Sequence, residues 1–407
     1  TEDGNVMVAK NKPNGTTNPF ASLASGASGT PTLYKNGILA DASDIRQYDV
    51  ATYDKGSNSI FVSDLKLCGL YEDVYPNTAA PSTIKMMGAT FKVLPCAVAD
   101  LSSFKVGEKV TLLLTTTGEV AGAVSPSVAS SNAVGVAELN GSTATIKLLD
   151  GILTLTGQTS YSSETLSKLN GSLVTVSSSK VGYLSLSRVS GSGANAALDL
   201  STSKVGSKTL SPGARFYEQV GNSALAEIER KDITVTSIPA NKITYVSYDW
   251  AGRVDCVVLN DVTGDRYTYG KITYDPLHYE SVTDSDGNIK QQAVPGQIKV
   301  ENGSGNVTCA VNEVEGVRNG VMGGLVASLD KNIQGTQNLM AGYMPLNTLE
   351  GVRRSQFDVE NMMLTTNSIV IPVSKQVQCY NKTTEQWFTA GKDSTSEDAL
   401  RLALAYS

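Results

Sequence analysis

The chain has 407 residues, of which 41% are hydrophobic and only 18% are charged, and its formal net charge is −6. A net acidic chain offers no basic footprint for nucleic acid or for an anionic membrane surface. Its longest largely apolar stretches, such as residues 110–114, are far shorter than the roughly 20 residues that a membrane-spanning helix requires. We therefore expect neither a nucleic-acid partner nor a membrane span in this segment.

The first part of the chain predicts a loop-rich start followed by two β-modules. Residues 1–44 are rich in Gly, Ser, Asn and Thr without sustained periodicity, which predicts a linker or the end of a preceding domain, with regular structure beginning near residue 45. Short alternating segments separated by turn residues predict a first β-module at residues 45–126 and a second at 127–213. Asn140-Gly141 is one of several Asn-Gly and Asp-Gly pairs that favour tight antiparallel hairpins.

The second part of the chain also consists of short alternating segments separated by turn residues. Residues 214–274 predict a β-module related to the first, and residues 275–374 predict a further β-rich module. Residues 375–407 resemble the start of the 214–274 module and end in a helix-forming run, which predicts the truncated start of another repeat. The predicted fold class is mostly β, with tandem small antiparallel β-barrel or β-sandwich modules and short helices.

One hairpin pattern occurs twice, at residues 109–124 and 242–258. Each copy has a lysine, an alternating strand, a turn that ends in glycine (Gly118 and Gly252), a charged residue and a second alternating strand. The second copy has one extra residue, which we place in the turn or a bulge between residues 248 and 251, because a slip in the second strand would turn its buried valines outward. Duplicated β-units favour a scaffold over a single catalytic constellation.

Two acidic loops have some likeness to a calcium site. Asp284, Asp286 and Asn288 resemble the opening of a calcium-binding loop, although Pro295 stands where that loop has its glutamate. A polar hairpin tip explains the same residues, and we favour it over a metal site. Residues 260–265 have the same two readings. Calcium is thus the one cofactor that the sequence leaves open.

The sequence offers little for catalysis. His278 is the only histidine, it lies in a segment typical of a strand-exit turn, and no nucleophile elbow of the GxSxG type occurs. The glycine-rich residues 320–324 match no phosphate-binding pattern and predict a loop or a bulge, or close backbone approach in a β-segment. Paired carboxylates could still form a glycosidase site, but Trp250 and Trp387 are the only tryptophans available for sugar stacking. We expect no catalytic residues.

The five cysteines lack the CxxC spacing of zinc or redox sites. Strand alternation predicts that Cys256, Cys309 and Cys379 are buried, unpaired thiols. A disulfide between Cys68 and Cys96 is the alternative that the sequence leaves open.

Residues 48–54, 80–88, 93–95, 104–124 and 245–270 together resemble the repeated ectodomain modules of Gram-positive cell-surface proteins that carry S-layer-homology domains. The resemblance implies an extracellular, cell-surface location and a structural or adhesive role, and it supplies no catalytic residues. No S-layer-homology domain lies in this chain, so attachment to the wall is expected from a portion outside it.

The function predicted from the sequence is a structural component of a bacterial cell-surface layer or wall-anchored stalk. Its expected partners are further copies of itself, or cell-wall components reached through absent domains. An adhesin or a glycan- or protein-binding surface module is the alternative, and a secreted carbohydrate-active enzyme is less favoured.

Overall fold

The computed structural model describes residues 29–131, 133–149, 151–189, 195–283, 285–311, 314–333, 335–366, 369–388 and 395–406. The chain divides into two compact units. Unit 1 holds the described residues up to Gly191 together with Ser207–Ala214 and Val246–Cys256. Unit 2 holds the described residues of Ser192–Gly206, Arg215–Tyr245 and Val257 onward.

The predicted fold class is confirmed, because the described residues form many short strands in small sheets and two closed barrels, with few short helices. The helices are α1 Val98–Leu101, α2 Ser163–Leu169 and α3 Ser396–Tyr406. None of the helices within the described ranges is both long enough and apolar enough to cross a membrane.

The strands, in chain order, are β1 Thr32–Lys35, β2 Ile38–Leu39, β3 Val50–Asp54, β4 Ser59–Ser63, β5 Lys66–Leu70, β6 Asp73–Tyr75, β7 Thr83–Met86, β8 Ala89–Lys92, β9 Lys109–Leu114, β10 Val120–Val124, β11 Val134–Asn140, β12 Thr143–Leu148, β13 Thr154–Gln158, β14 Leu173–Lys180, β15 Tyr183–Arg188, β16 Leu198–Asp199, β17 Lys204–Val205, β18 Lys208–Gln219, β19 Ala226–Ile228, β20 Ser237–Ile238, β21 Ile243–Tyr248, β22 Val254–Asn260, β23 Thr268–Asp275, β24 His278–Thr283, β25 Ile289–Val294, β26 Gly296–Asn302, β27 Gly305–Val311, β28 Met322–Lys331, β29 Asn338–Pro345, β30 Phe357–Asp358, β31 Met363–Thr365, β32 Val370–Pro372, β33 Tyr380–Asn381 and β34 Gln386–Trp387.

Regular structure begins earlier than the sequence predicted. β1 and β2 belong to a four-stranded sheet of order β2-β1-β4-β3, in which β1 runs parallel to β4 from Thr32↔Ser59 onward. The expectation that regular structure starts near residue 45 was therefore wrong. A strand of four residues shows too little alternation to be recognised locally, and its pairing partner lies well downstream. Residues 1–28 of the predicted linker lie outside the described residues.

Both closed barrels have the same strand order. Barrel 1 runs β11-β12-β13-β15-β14 and barrel 2 runs β23-β26-β27-β29-β28, so each connects its five strands as 1-2-3-5-4. The third and fifth strands pair in parallel, at Gln158↔Tyr183 and at Ala310↔Leu339. This is the order of the OB-fold barrel, and barrel 1 also has α2 between its third and fourth strands. The predicted module boundaries at 213/214 and 274/275 fall inside β18 and β23, and the other boundaries stay predictions.

The repeated pattern forms a hairpin both times, as predicted. β9 pairs with β10, within a sheet of order β10-β9-β5. β21 pairs with β22, within a sheet of order β20-β16-β17-β18-β22-β21 in which β19 also pairs with β18. Val120 and Val254, each two residues after the turn glycine, are both fully buried.

The two hairpin turns, at residues 115–119 and 249–253, match position by position. In each, the first N–H donates to the fifth carbonyl, at 2.9 and 2.8 Å, and the fourth residue is a glycine with φ of +79° and +73°. The side-chain oxygen of the first residue, Thr115 or Asp249, accepts the N–H groups of the third and fifth residues. A short polar side chain thus fixes both turns in one conformation.

The extra residue of the second copy is not in the turn. Turns 115–119 and 249–253 have equal length, and each follows its strand directly. Lys109 opens β9, whereas Lys242 lies in a short 3-10 helix that precedes β21. The predicted position of the insertion was therefore wrong. The side-chain hydrogen bonds define the length of the turn, so the additional residue is accommodated before the strand.

Unit 1 has one large core that joins barrel 1 to the strands before it. The same buried cluster includes Leu112 and Leu114 of β9, Met86 of β7, and Ile146 and Leu155 of the barrel. Polar contacts reinforce this packing. The buried Ser178 hydroxyl of β14 accepts the Leu70 N–H of β5 at 2.8 Å, and the Glu72 carboxylate accepts the Gly182 N–H at 3.0 Å.

Barrel 2, in unit 2, has a smaller core. Its buried members are Ile272, Ile298, Val300, Cys309, Val311 and Leu325. The hairpin β24–β25 is inserted between its first and second strands, and most of its side chains are exposed.

Candidate functional site

The predicted calcium loop lies at the tip of the inserted hairpin. Asp284 lies outside the described residues, and Asp286 and Asn288 are exposed residues of the turn between β24 and β25. Gly287 has a φ of +83°, which fits a tight hairpin turn. Within the described ranges, no group of three or more His, Cys, Asp or Glu side chains is arranged to hold a metal ion. The observed loop has the geometry of the polar hairpin tip that we favoured, and the calcium site stays a prediction.

The second acidic loop, residues 260–265, is held by protein partners. The Asn260 side chain accepts the Gly221 N–H at 2.9 Å, and the Lys242 ammonium donates to the Asp261 carbonyl at 2.9 Å and lies 3.4 Å from its carboxylate. These contacts give the loop a structural role, in which it leads the chain from β22 into barrel 2.

Glu218 completes this connection, and sequence reasoning missed it. Its carboxylate is fully buried and accepts the N–H of Val262 and, at 2.7 Å, the N–H of Thr263, together with the Thr263 hydroxyl. Nearby, burial lowers the pKa of the Arg266 guanidinium, which donates to the Ala224 carbonyl at 3.1 Å. A glutamate in an alternating strand gives no local signal that it will be buried, so only the fold reveals it.

His278 lies at the start of the exposed hairpin. Its ring nitrogens contact the Pro276 carbonyl at 3.2 Å and the Glu280 carboxylate at 3.3 Å, with Asp275 at 3.6 Å. The Pro276 carbonyl, followed by Glu280, raises the pKa of His278. Both ring nitrogens of His278 therefore face acceptors that lie within three residues of it along the chain.

The five cysteines, all within the described ranges, form no disulfide, so the Cys68–Cys96 alternative is not observed. Cys256 and Cys309 are buried, as predicted, whereas Cys379 is only half-buried. Burial raises the pKa of Cys309 to about 11 and also raises that of Cys379. Thiols with raised pKa values are weak nucleophiles, which fits core packing.

Trp250, the tryptophan of unit 1, contacts other residues of the same unit. Trp250, in the turn of the second hairpin, donates its indole N–H to the Lys35 carbonyl at 3.2 Å. The Lys35 ammonium and the Arg253 guanidinium lie 5.7 and 5.1 Å from its ring centre. Lys35 also forms a buried ion pair with Asp49 at 2.6 Å. Because cations already occupy positions over its ring, Trp250 is a packing element.

Unit 2 contains an open cavity of about 480 Å³, which we call the aromatic pocket. Three aromatic residues line it: Tyr269 from β23, Tyr380 from β33 and Trp387 from β34. Tyr380 and Trp387 are directly opposed across the small hairpin, with ring centres 4.7 Å apart and planes inclined by 50°. Met322, Leu346 and Val377 supply further apolar wall. The volume and lining are typical of a small-molecule site.

The tandem glycines of β28, Gly323 and Gly324, leave room for the side chains beside them, including the Tyr269 ring that lines the pocket. A Cβ on Gly324 would lie 2.8 Å from the Tyr269 ring, and a Cβ on Gly323 would lie 2.9 Å from Ile272. Both glycines lie in β28, so the predicted loop or bulge is not found at these two residues, and the predicted close approach to the strand backbone is made by side-chain atoms. The Tyr269 hydroxyl donates to the Gly264 carbonyl at 2.7 Å, and burial raises the pKa of Tyr269 to about 12. The ring is thereby fixed and stays neutral.

Three polar residues stand among the apolar ones. The Ser374 hydroxyl donates to the Asp265 carboxylate at 2.5 Å, and the Gln378 amide lies 3.4 Å from the Gln376 carbonyl. Lys382 is exposed and, within the part of the chain that the structure describes, its ammonium has no ion-pair or hydrogen-bond partner. The described residues that line the pocket include no His, Cys, Asp or Glu.

Sequence reasoning missed this pocket, because its two sides come from segments about a hundred residues apart. The number of tryptophans in the sequence gives no indication of the pocket. A better signal was available in residues 380–387, where a tyrosine and a tryptophan flank a polar turn and therefore face each other in a hairpin.

Comparisons of the chain with protein-family models, with curated proteins and with solved structures found no match.

Proposed function

We propose that this chain is a structural, β-modular part of a bacterial cell-surface layer or wall-anchored stalk. The observation that carries the proposal is a repeated building block, a hairpin followed by a five-stranded barrel. Block 1 comprises residues 109–188 and block 2 comprises residues 243–345. A unit that recurs with the same turn and the same barrel order adds length and surface, which is what a scaffold requires.

The barrel faces also favour a scaffold over a nucleic-acid reader. Barrels of this strand order bind oligonucleotides chiefly on the face of their second and third strands. Here those strands, β12, β13, β26 and β27, present Thr, Lys, Gln, Glu and Asn outward, without an aromatic side chain on which a base could stack. The net charge of −6 further opposes a polyanionic partner. The resemblance of residues 45–274 to surface-protein ectodomains supports an extracellular location.

Immunogold electron microscopy of intact cells of the bacterium that encodes the chain tests the proposal. An antibody against the purified chain should label the outer surface continuously, and removal of the gene should remove a visible layer or stalk. Labelling confined to the cell interior, or to the culture medium without any on the wall, would overturn it.

The aromatic pocket favours a second candidate function, a ligand-binding surface module. It is concave, apolar and bounded by aromatic rings, and these features serve binding without serving lattice formation. A glycoside hydrolase is less well supported, because two carboxyl groups must flank the scissile bond and no carboxylate is among the described residues that line the pocket.

A further inference from the structure

We propose that the aromatic pocket of unit 2 binds an acidic saccharide, with a pyranose ring against Tyr380 and Trp387 and its anionic group toward Lys382. The inference develops the second candidate function, and the scaffold proposal stands or fails independently of it.

The aromatic wall is the first step of the argument. A sugar ring has apolar C–H faces and a polar edge, so it requires a flat apolar platform beside polar groups. Tyr380 and Trp387 are half-buried, and their rings pack against each other with centres 4.7 Å apart, so together they form one aromatic surface that lines the cavity. Both rings are placed by backbone pairing, from Tyr380↔Trp387 to Asn381↔Gln386, so the platform exists before a ligand binds.

The polar residues set the ligand class. Gln378 offers an amide that both donates and accepts, as hydroxyl groups require. Lys382 lines the same cavity and adds an ammonium group without a partner in the described part of the chain. A carboxylate or sulfate group on the sugar would form an ion pair with the Lys382 ammonium. A neutral apolar ligand would leave Lys382 without an ion pair and Gln378 without a hydrogen bond to the ligand.

The position of the pocket makes it a separate site from the ligand face common to this barrel order. It lies against β23 and β28, the first and fourth strands of barrel 2, and it is completed by residues 374–387. The second and third strands do not contribute to its lining. The site therefore depends on the segment after the barrel.

A panel of immobilised acidic and neutral oligosaccharides, probed with the full chain, tests the proposal. We expect binding to uronic-acid or sulfated sugars that weakens as salt is added, because the ion pair is screened. Trp387→Ala should reduce affinity by at least about tenfold, and Lys382→Gln should remove the preference for acidic over neutral sugars. Tyr279→Ala and Lys55→Gln, matched changes at exposed residues that do not line the pocket, should leave binding unchanged.

Trp387→Phe separates loss of binding from loss of folding. This variant retains an aromatic face, so it should keep part of the affinity while losing the sugar-induced change in tryptophan emission, since Trp250 does not line the pocket. Three results would overturn the proposal: no saccharide bound by the folded chain, equal affinity for neutral and acidic sugars, or full binding by Trp387→Ala. Surface labelling of cells could succeed in each of these cases, so the two proposals fail separately.

Discussion

Blocks 1 and 2 have the same architecture and different surroundings. In block 1 the barrel shares one continuous core with the hairpin and the strands before it. In block 2 the barrel has its own smaller core, carries an exposed hairpin between its first two strands, and leaves part of its outer surface to the aromatic pocket. One barrel topology thus serves as packed structure in one place and as a wall of the aromatic pocket in the other, because what covers its outer face differs.

The largest expected loss of stability comes from truncating a buried side chain in the core of either barrel. Ile146 and Ile298 are both fully buried, so replacing either with alanine should cost about 2–5 kcal/mol. Because Ile146 shares a cluster with Leu112 and Leu114, Ile146→Ala should also speed hydrogen exchange in β9. Ile298→Ala should affect barrel 2 alone. The matched change Ile146→Val should cost only about 0.5–1.5 kcal/mol. Unchanged exchange in β9 would contradict the shared core of block 1.

The next largest loss of stability is expected at Gly88, which packs against the outer side of barrel 1. Gly88 has a φ of +72°, and a Cβ there would lie 1.8 Å from the Thr156 carbonyl oxygen of β13. Gly88→Ala should therefore cost about 2–4 kcal/mol, measured by chemical denaturation, because a backbone atom must move and the conformation is strained. Gly141→Ala is the control, since Gly141 has a similar φ of +58° in open space and should cost only about 1–2 kcal/mol. Equal costs would show that the Gly88 contact does not restrain barrel 1.

A smaller effect should distinguish the two matching turns. Thr115→Ala removes a neutral acceptor of two N–H groups and should cost about 0.5–1.5 kcal/mol. Asp249→Ala removes a charged acceptor that also bonds Arg253 at 2.8 Å, and should cost about 1.5–3 kcal/mol. Urea denaturation of each variant measures the difference, with Asp249→Asn as the control that retains the acceptor. If the larger loss occurred at Thr115, the equivalence of the turns would not extend to their energetics.

The smallest effect is a pH dependence limited to the second hairpin. Burial raises the pKa of Asp255, and the nearby Asp249 carboxylate also raises it, against a lowering hydrogen bond from Ser247. A raised pKa means that the folded state holds the proton more tightly, so the contribution of Asp255 to stability falls as pH rises from its ordinary value of 3.8 through the folded value. Asp255→Asn should therefore stabilise the protein at pH 7 and have no effect well below pH 3.8.

Thermal melts from pH 3 to pH 8 measure this dependence. Ala121 occupies the matching position of the first hairpin, three residues after the turn glycine, so Ala121→Asn should shift the melting temperature equally at every pH. A pH-independent difference for Asp255→Asn would show that the Asp255 carboxyl group titrates alike in the folded and unfolded states.

The sequence by itself determined the local structure of this protein. Alternation and turn residues predicted short antiparallel strands, and the repeated pattern predicted two hairpins with Val120 and Val254 inward. These features depend on neighbours within a few residues, where side-chain period and allowed φ angles decide the conformation.

Only the tertiary structure decided the rest. The closure of each barrel, the parallel pairing of β1 with β4, the burial of Glu218 and the meeting of Tyr269 with Tyr380 and Trp387 all join segments distant along the chain. Such contacts depend on which surfaces remain uncovered once the strands have paired, and the periodicity of one segment carries no information about its distant partner.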